Sequence, residues 1–165
     1  MRSRIPGLLR HVPILGGAAL LACLAVLLAV SDISATPGSG ITRTELGRAT
    51  VDSFHIDSPD VKMFVKDRAD IVTQEVKVAV GGTTGWHYHF GSAFVLVKSG
   101  TFALTRAEGC ETKVYHAGDG FAEAPLDIHV GRNVGSVPVD IIATYTNVPI
   151  GGGVAVSAPA PPGCS

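Results

Sequence analysis

In the segment Gln74-Glu75-Val76-Lys77-Val78-Ala79-Val80, three valines alternate with Glu75, Lys77 and Ala79. A period of two suits a strand with one buried face and puts Val76, Val78 and Val80 on the core side, with Glu75 and Lys77 opposite. The same texture continues along the chain. Short runs of β-branched and aromatic residues are separated by Gly, Asp and Pro, and no apolar pattern of period 3.6 is long enough for a substantial helix. The spacing predicts strands at Thr50 to Ile56, Val61 to Lys66, Ile71 to Val80, Phe94 to Lys98, Thr101 to Arg106, Thr112 to His116, Gly120 to Ala124 and Val137 to Thr146. Lys98-Ser99-Gly100-Thr101 reads as a hairpin turn, because Gly100 can take the positive φ that joins two apolar runs. Eight short strands with tight turns give an all-β chain, an antiparallel sandwich or barrel.

A different text precedes these strands. Arg2, Arg4 and Arg10 lead into Val12 to Val30, nineteen residues without a charged side chain. A positive start followed by an apolar stretch is the pattern of an export signal, and Ile33-Ser34-Ala35 offers small residues for cleavage. Nineteen apolar residues also suffice to cross a bilayer, so a retained N-terminal anchor is the alternative. Leu20-Leu21-Ala22-Cys23 has the form of a lipoprotein box, although the apolar run after it is atypical. Every version places the folded part outside the cytoplasm, secreted or tethered by residues 12–30. The expected organisation is a signal peptide or anchor over 1–35, a linker over 36–48, a barrel over 49–150 and a Gly/Pro-rich tail over 151–165.

Without the leader, 130 residues remain, enough for one domain with one core. They carry ten Lys or Arg against thirteen Asp or Glu and no basic run, so nucleic acid is not an expected partner. Membrane contact is expected only through the N-terminal segment. A homodimer would cover exposed strand edges, but no residue pattern fixes it. Cys110 and Cys164 either pair in an oxidising compartment, tying the tail back to a turn, or remain free thiols with Cys164 in a loose segment. No Cys-x-x-Cys pair or Gly-x-Ser-x-Gly elbow occurs, which leaves thiol exchange, thiolate zinc sites and serine hydrolysis unsupported.

The chemistry lies with the histidines. His87 and His89 stand two apart where a strand would point both the same way, and His129 follows forty residues later. Three neutral imidazoles suit one divalent ion of Fe, Mn, Ni, Cu or Zn, with coordination positions left for water or substrate. The alternative is that His87 and His89 pack beside Trp86, Tyr88 and Phe90 while His129 satisfies a loop carbonyl. His55 and His116 lack such surroundings and read as structural or surface residues.

Gly81, His87, His89 and Gly100 occupy matching places in the first motif of the cupin family, which the chain resembles from about Glu75 to Tyr145. Gly118, His129 and Asn133 fit the second motif, with Ala124 and Leu126 replacing its proline and second glycine and Pro125 one place late. The resemblance implies a jelly-roll β-barrel with His87, His89 and His129 as metal ligands. It also exposes a departure, because Ala93 or Phe94 stands where the family's glutamate belongs. Glu123 offers a replacement: in Gly120-Phe-Ala-Glu-Ala-Pro125 it shares a face with Phe121, where a buried carboxylate must be paired or metal-bound. Otherwise both residues sit on an outer face at the barrel rim.

Asn133 could hydrogen-bond a loop carbonyl or a ligand histidine, while Arg132-Asn133-Val134-Gly135 also looks like a plain turn. Trp86, Tyr88, Phe94 and Phe121 are expected to line or close an apolar cavity. The resemblance admits oxygenation, isomerisation or decarboxylation of a small organic substrate, or a non-catalytic barrel that holds a small ligand or sugar.

Overall fold

A computed structural model describes residues 35–164. The expected export segment, with its apolar stretch and lipoprotein box, lies outside the described residues. Among those described, no helix is long and apolar enough to cross a membrane. The strands are β1 (Ser39–Val51), β2 (Phe54–Asp57), β3 (Lys62–Val65), β4 (Ala69–Thr83), β5 (His87–Tyr88), β6 (Ala93–Ser99), β7 (Thr101–Arg106), β8 (Thr112–His116), β9 (Gly120–Glu123), β10 (His129–Asn133), β11 (Val139–Val148) and β12 (Val156–Ser157), with one 3₁₀ turn at Glu108–Cys110.

Two walls form a nearly closed antiparallel jelly-roll barrel. One runs β1-β4-β11-β6-β9 and the other β8-β7-β10-β5-β12. The pairing of Arg132 with Thr83 joins β10 to β4 and so links the walls along one side. β2 and β3 form a separate hairpin.

Alternation builds the core. On β6, Ala93, Val95 and Val97 are buried while Phe94 and Leu96 face out. Val76 and Val78 of β4, Ile141 and Ala143 of β11, and Phe102 and Leu104 of β7 meet them in one apolar cluster. Val80, expected on the same face as Val76 and Val78, is exposed. β11 stops covering β4 at the Val139–Val78 pair, and Gly81 then turns the chain with φ of 71°. Alternation gives side-chain direction, but the length of the neighbouring strand decides burial.

The barrel reaches beyond the expected 49–150. β1 begins inside the expected linker and pairs with β4 from Ser39–Thr83 to Val51–Ala69. At the other end, residues 149–164 wrap back over the barrel. Gly151 N–H donates to Asp70 Oδ2 at 2.9 Å, and Arg48 Nη2 donates to the Gly152 carbonyl at 3.0 Å. Asp70 is 1% exposed and also accepts from Arg48 and from Thr50 Oγ1, which is how the interior tolerates a carboxylate. β12 then pairs with β5, Ala158 N–H donates to the Trp86 carbonyl, and a Cys110–Cys164 disulfide closes the path. Cys164 packs with Trp86 and Val130 in a second apolar cluster.

Candidate metal centre

His87 on β5 and His129 on β10 are direct cross-strand partners, and His89 stands two residues on from His87. Their ring centroids are 4.5 to 5.2 Å apart, and one ligand atom from each lies within 4.8 Å of the others. Gly85, with φ of 72°, makes the bend before β5 where an added Cβ would strike the backbone of Thr36 and Pro37. Gly131, two residues after His129, leaves no room for a Cβ against the Phe102 ring. The strand period and two tight backbone approaches therefore bring the three rings together.

Glu123 joins them from β9. It is 6% exposed, and its oxygens stand 3.2 Å from His89 Nε2 and 3.3 Å from His129 Nε2. Its cross-strand partner is Ala93, the residue at the place of the absent motif glutamate. The carboxylate reaches the same interior point from the adjacent strand.

Backbone carbonyls fix the rings. His87 Nδ1 bonds the Gly85 carbonyl, His89 Nδ1 the Val154 carbonyl and His129 Nδ1 the Asp127 carbonyl, each at 2.8 Å. A carbonyl only accepts, so each Nδ1 carries the proton, and a ring in its neutral form then keeps its lone pair on Nε2. The Nε2 of His129 is buried with no hydrogen-bond partner. Ring lone pairs and a carboxylate thus converge on one another, an arrangement of acceptors that a cation resolves. Nitrogen and carboxylate donors of this kind fit a first-row divalent ion.

The ionisation states agree. Burial holds His87 down to about 3, reinforced by His129 and opposed by the Gly85 carbonyl. Burial also lowers His129, against the pull of Glu123. For Glu123 burial pushes upward, but His89, His129 and His87 together outweigh it and leave the carboxyl below its usual range. Burial and the Glu123 charge push the Tyr145 hydroxyl far up, Arg43 opposing, so it stays a proton donor.

These shifts set a pH dependence for the metal-free protein. Unfolded imidazole titrates near 6.5 and folded His87 near 3, so between those values the unfolded chain binds more protons. The contribution is fully present above pH 6.5 and is lost as pH falls toward 3, with His129 acting in the same direction. After chelation, Tm is expected to fall steadily between pH 6.5 and about 4, and His87→Asn is expected to flatten that slope. Equal slopes in the two proteins would contradict the assignment.

The rings face an interior space of about 30 Å³, room for a few atoms only. Phe121 lines it as expected, joined by Phe102 and Tyr145. The other expected aromatics do not. Trp86 and Tyr88 alternate with His87 and His89 and so point away from it, Trp86 into the second apolar cluster. Phe94, next to inward Ala93, is exposed and lines an outer groove beside the β2–β3 hairpin. Tyr145 was legible only as a strand residue, because no local pattern places it 4.8 Å from the His89 ring.

Asn133 takes a structural role: its Nδ2 donates to the Val78 and Val137 carbonyls, and its Oδ1 accepts from Gly135 N–H. His55 lies edge-on to Phe64 and His116 is exposed, both away from the centre.

Residues 74–145, a little under half of the chain, match the family model of the cupin domain. No curated protein gives a significant match. Among solved structures, a conserved protein with a double-stranded β-helix domain from Klebsiella pneumoniae superposes with a TM-score of 0.50 at 16% identity, covering 73% of this chain and 85% of that one. The polyketide cyclase RemF from Streptomyces resistomycificus gives 0.48 at 19% identity, covering 68% and 72%. Oxalate oxidase in complex with the substrate analogue glycolate gives 0.41 at 22% identity, covering 45% and 40%. The chain therefore spans about 40% of the length of the oxalate oxidases it matches. At these identities the likeness concerns the fold alone.

Proposed function

We propose that this is an exported cupin whose barrel holds one divalent ion of Fe, Mn, Ni, Cu or Zn through His87, His89, His129 and Glu123, and that it oxygenates or isomerises a small organic substrate. The observation that carries the reading is the convergence of three imidazoles, each with its Nδ1 committed to a backbone carbonyl, and a carboxylate on one interior space. When bound, such an ion supplies a Lewis acid with positions open to a ligand. The chain's own residues do the rest. Three carbonyls hold the rings in the ligating tautomer, the apolar wall excludes bulk water, and Tyr145 offers an O–H beside the centre.

Elemental analysis of protein purified without a His-tag tests the ion, and oxygen uptake over a panel of small enediols and thiols tests the chemistry. One ion per chain with no turnover would favour the second reading, a non-catalytic small-ligand or sugar-binding module.

Relocating the carboxylate tests the role of Glu123. Ala93 and Glu123 are cross-strand partners, so Glu123→Ala is expected to lower metal affinity by at least roughly tenfold, and Ala93→Glu added to it to restore a measurable part. Competition with a chromophoric chelator gives the affinities. An unchanged affinity in Glu123→Ala would remove the carboxylate from the ligand set.

A further inference from the structure

The wall of the same interior space carries one cation that the fold does not use. Arg43 lies on β1 in register with Val76, and cross-strand partners face the same side of a sheet. Val76 is buried in the core, so Arg43 is directed toward the barrel interior and lines the space above the histidines, with its exposed part at the mouth. Its neighbour Arg48 is committed to Glu45, Asp70 and the Gly152 carbonyl, whereas Arg43 has no ion-pair or hydrogen-bond partner among the described residues.

The remaining polar groups there sort cleanly. The Thr84 hydroxyl is already used, donating to the Gly85 carbonyl and accepting from Gly131 N–H. The Tyr145 hydroxyl has no protein partner among the described residues and lines the same space from β11, two strands along the wall that carries Arg43. Two unused donors therefore stand over the centre, and the unused acceptors there are the ligand atoms. With a divalent ion in place, its charge and that of Arg43 exceed the single negative charge of Glu123.

We propose that the substrate site is built for a small carboxylate, held by Arg43 at the mouth and the Tyr145 hydroxyl within, with a head no larger than a few atoms. The inference rests on the metal reading above for its charge balance. A neutral ligand would leave the guanidinium unmatched, and a larger anion would not pass into about 30 Å³. Because Arg43 makes no hydrogen bond or ion pair among the described residues, its replacement breaks no polar contact of the fold.

Calorimetric titration of the full chain with acetate, with acetamide as the uncharged isostere and inorganic phosphate as a bulkier anion, tests this, with metal content measured on the same samples. Acetate is expected to bind more tightly than acetamide or phosphate, Arg43→Gln to weaken acetate roughly tenfold and leave acetamide unchanged, and Arg43→Lys to recover part of the loss. Acetate affinity equal within twofold in Arg43→Gln, or equal affinities for acetate and acetamide, would overturn the proposal. Full metal without acetate binding sinks this inference and spares the metal reading. Arg43-dependent acetate binding in protein that takes up no metal does the reverse, and neither binding event sinks both.

Discussion

Alanine at His87 is expected to take the protein from one divalent ion per chain to less than about a tenth of that, because a lost ligand exceeds the roughly 10- to 100-fold typical of a lost supporting contact. What remains is two imidazoles and a carboxylate, a set with a gap on the side that β5 supplied. Tyr145 cannot fill it, since burial keeps its hydroxyl protonated. The fold should survive, for His87 is only partly buried and its one hydrogen bond runs to Gly85 two residues away. Metal analysis of freshly purified protein, beside a near-ultraviolet circular dichroism spectrum, separates loss of the ion from loss of the barrel. His55→Ala and His116→Ala serve as controls and should retain the full complement. A full complement in His87→Ala would end the metal assignment at this position.

The barrel was readable where a strand has one wet face and one dry face. Thr101–Arg106 and Thr112–His116 appear with the ends that their residues predict, because turn residues bound both runs, while alternating burial itself is clearest in Ala93–Ser99. β1 escaped for the opposite reason. Nearly all of Ser39–Val51 is exposed, so its sequence carries Arg43, Glu45 and Arg48 with no period to detect, and only pairing with β4 makes it a strand. β5 and β12 are two residues long and have no pattern of their own. β10 contains Gly131 and Arg132 where a propensity reading expects a turn, yet it is buried at four of five positions.

The site divides along the same line. His87 and His89 share a face by arithmetic of position, while bringing His129 beside them needs the β5–β10 register, which only the whole barrel sets. For Glu123, alternation with Phe121 gave the face but not which face was interior. The Ala93–Glu123 pair decides it: two adjacent strands project side chains to one point, so a carboxylate can change strands without leaving the centre. Arg43 and Tyr145 had no local signal, since their relevance lies in distances across the barrel.

Removing the disulfide is expected to strike stability and the centre together. Cys110 and Cys164 are 54 residues apart, and freeing a loop of that length costs about 4 kcal/mol in the chain-entropy picture, near 15 °C in Tm for a domain of this size. The tail it secures does more than add bonds. It presents the Val154 carbonyl that holds the His89 ring, contributes Val154 to the wall, and pairs Val156 and Ser157 with Tyr88 and His87. Its other attachment, Gly151 and Gly152 on Asp70 and Arg48, keeps the near end in place, so release at Cys164 loosens mainly the stretch that touches β5. Cys110→Ser with Cys164→Ser should therefore lower metal affinity roughly tenfold or more while the barrel still unfolds cooperatively. Loosening the Val154 carbonyl frees the His89 ring to rotate and to exchange tautomers, which is how a bond outside the centre reaches it. Thermal unfolding and chelator competition on oxidised, reduced and doubly substituted protein measure the two effects separately. A large fall in Tm with unchanged metal affinity would show that the tail stabilises the fold without orienting His89.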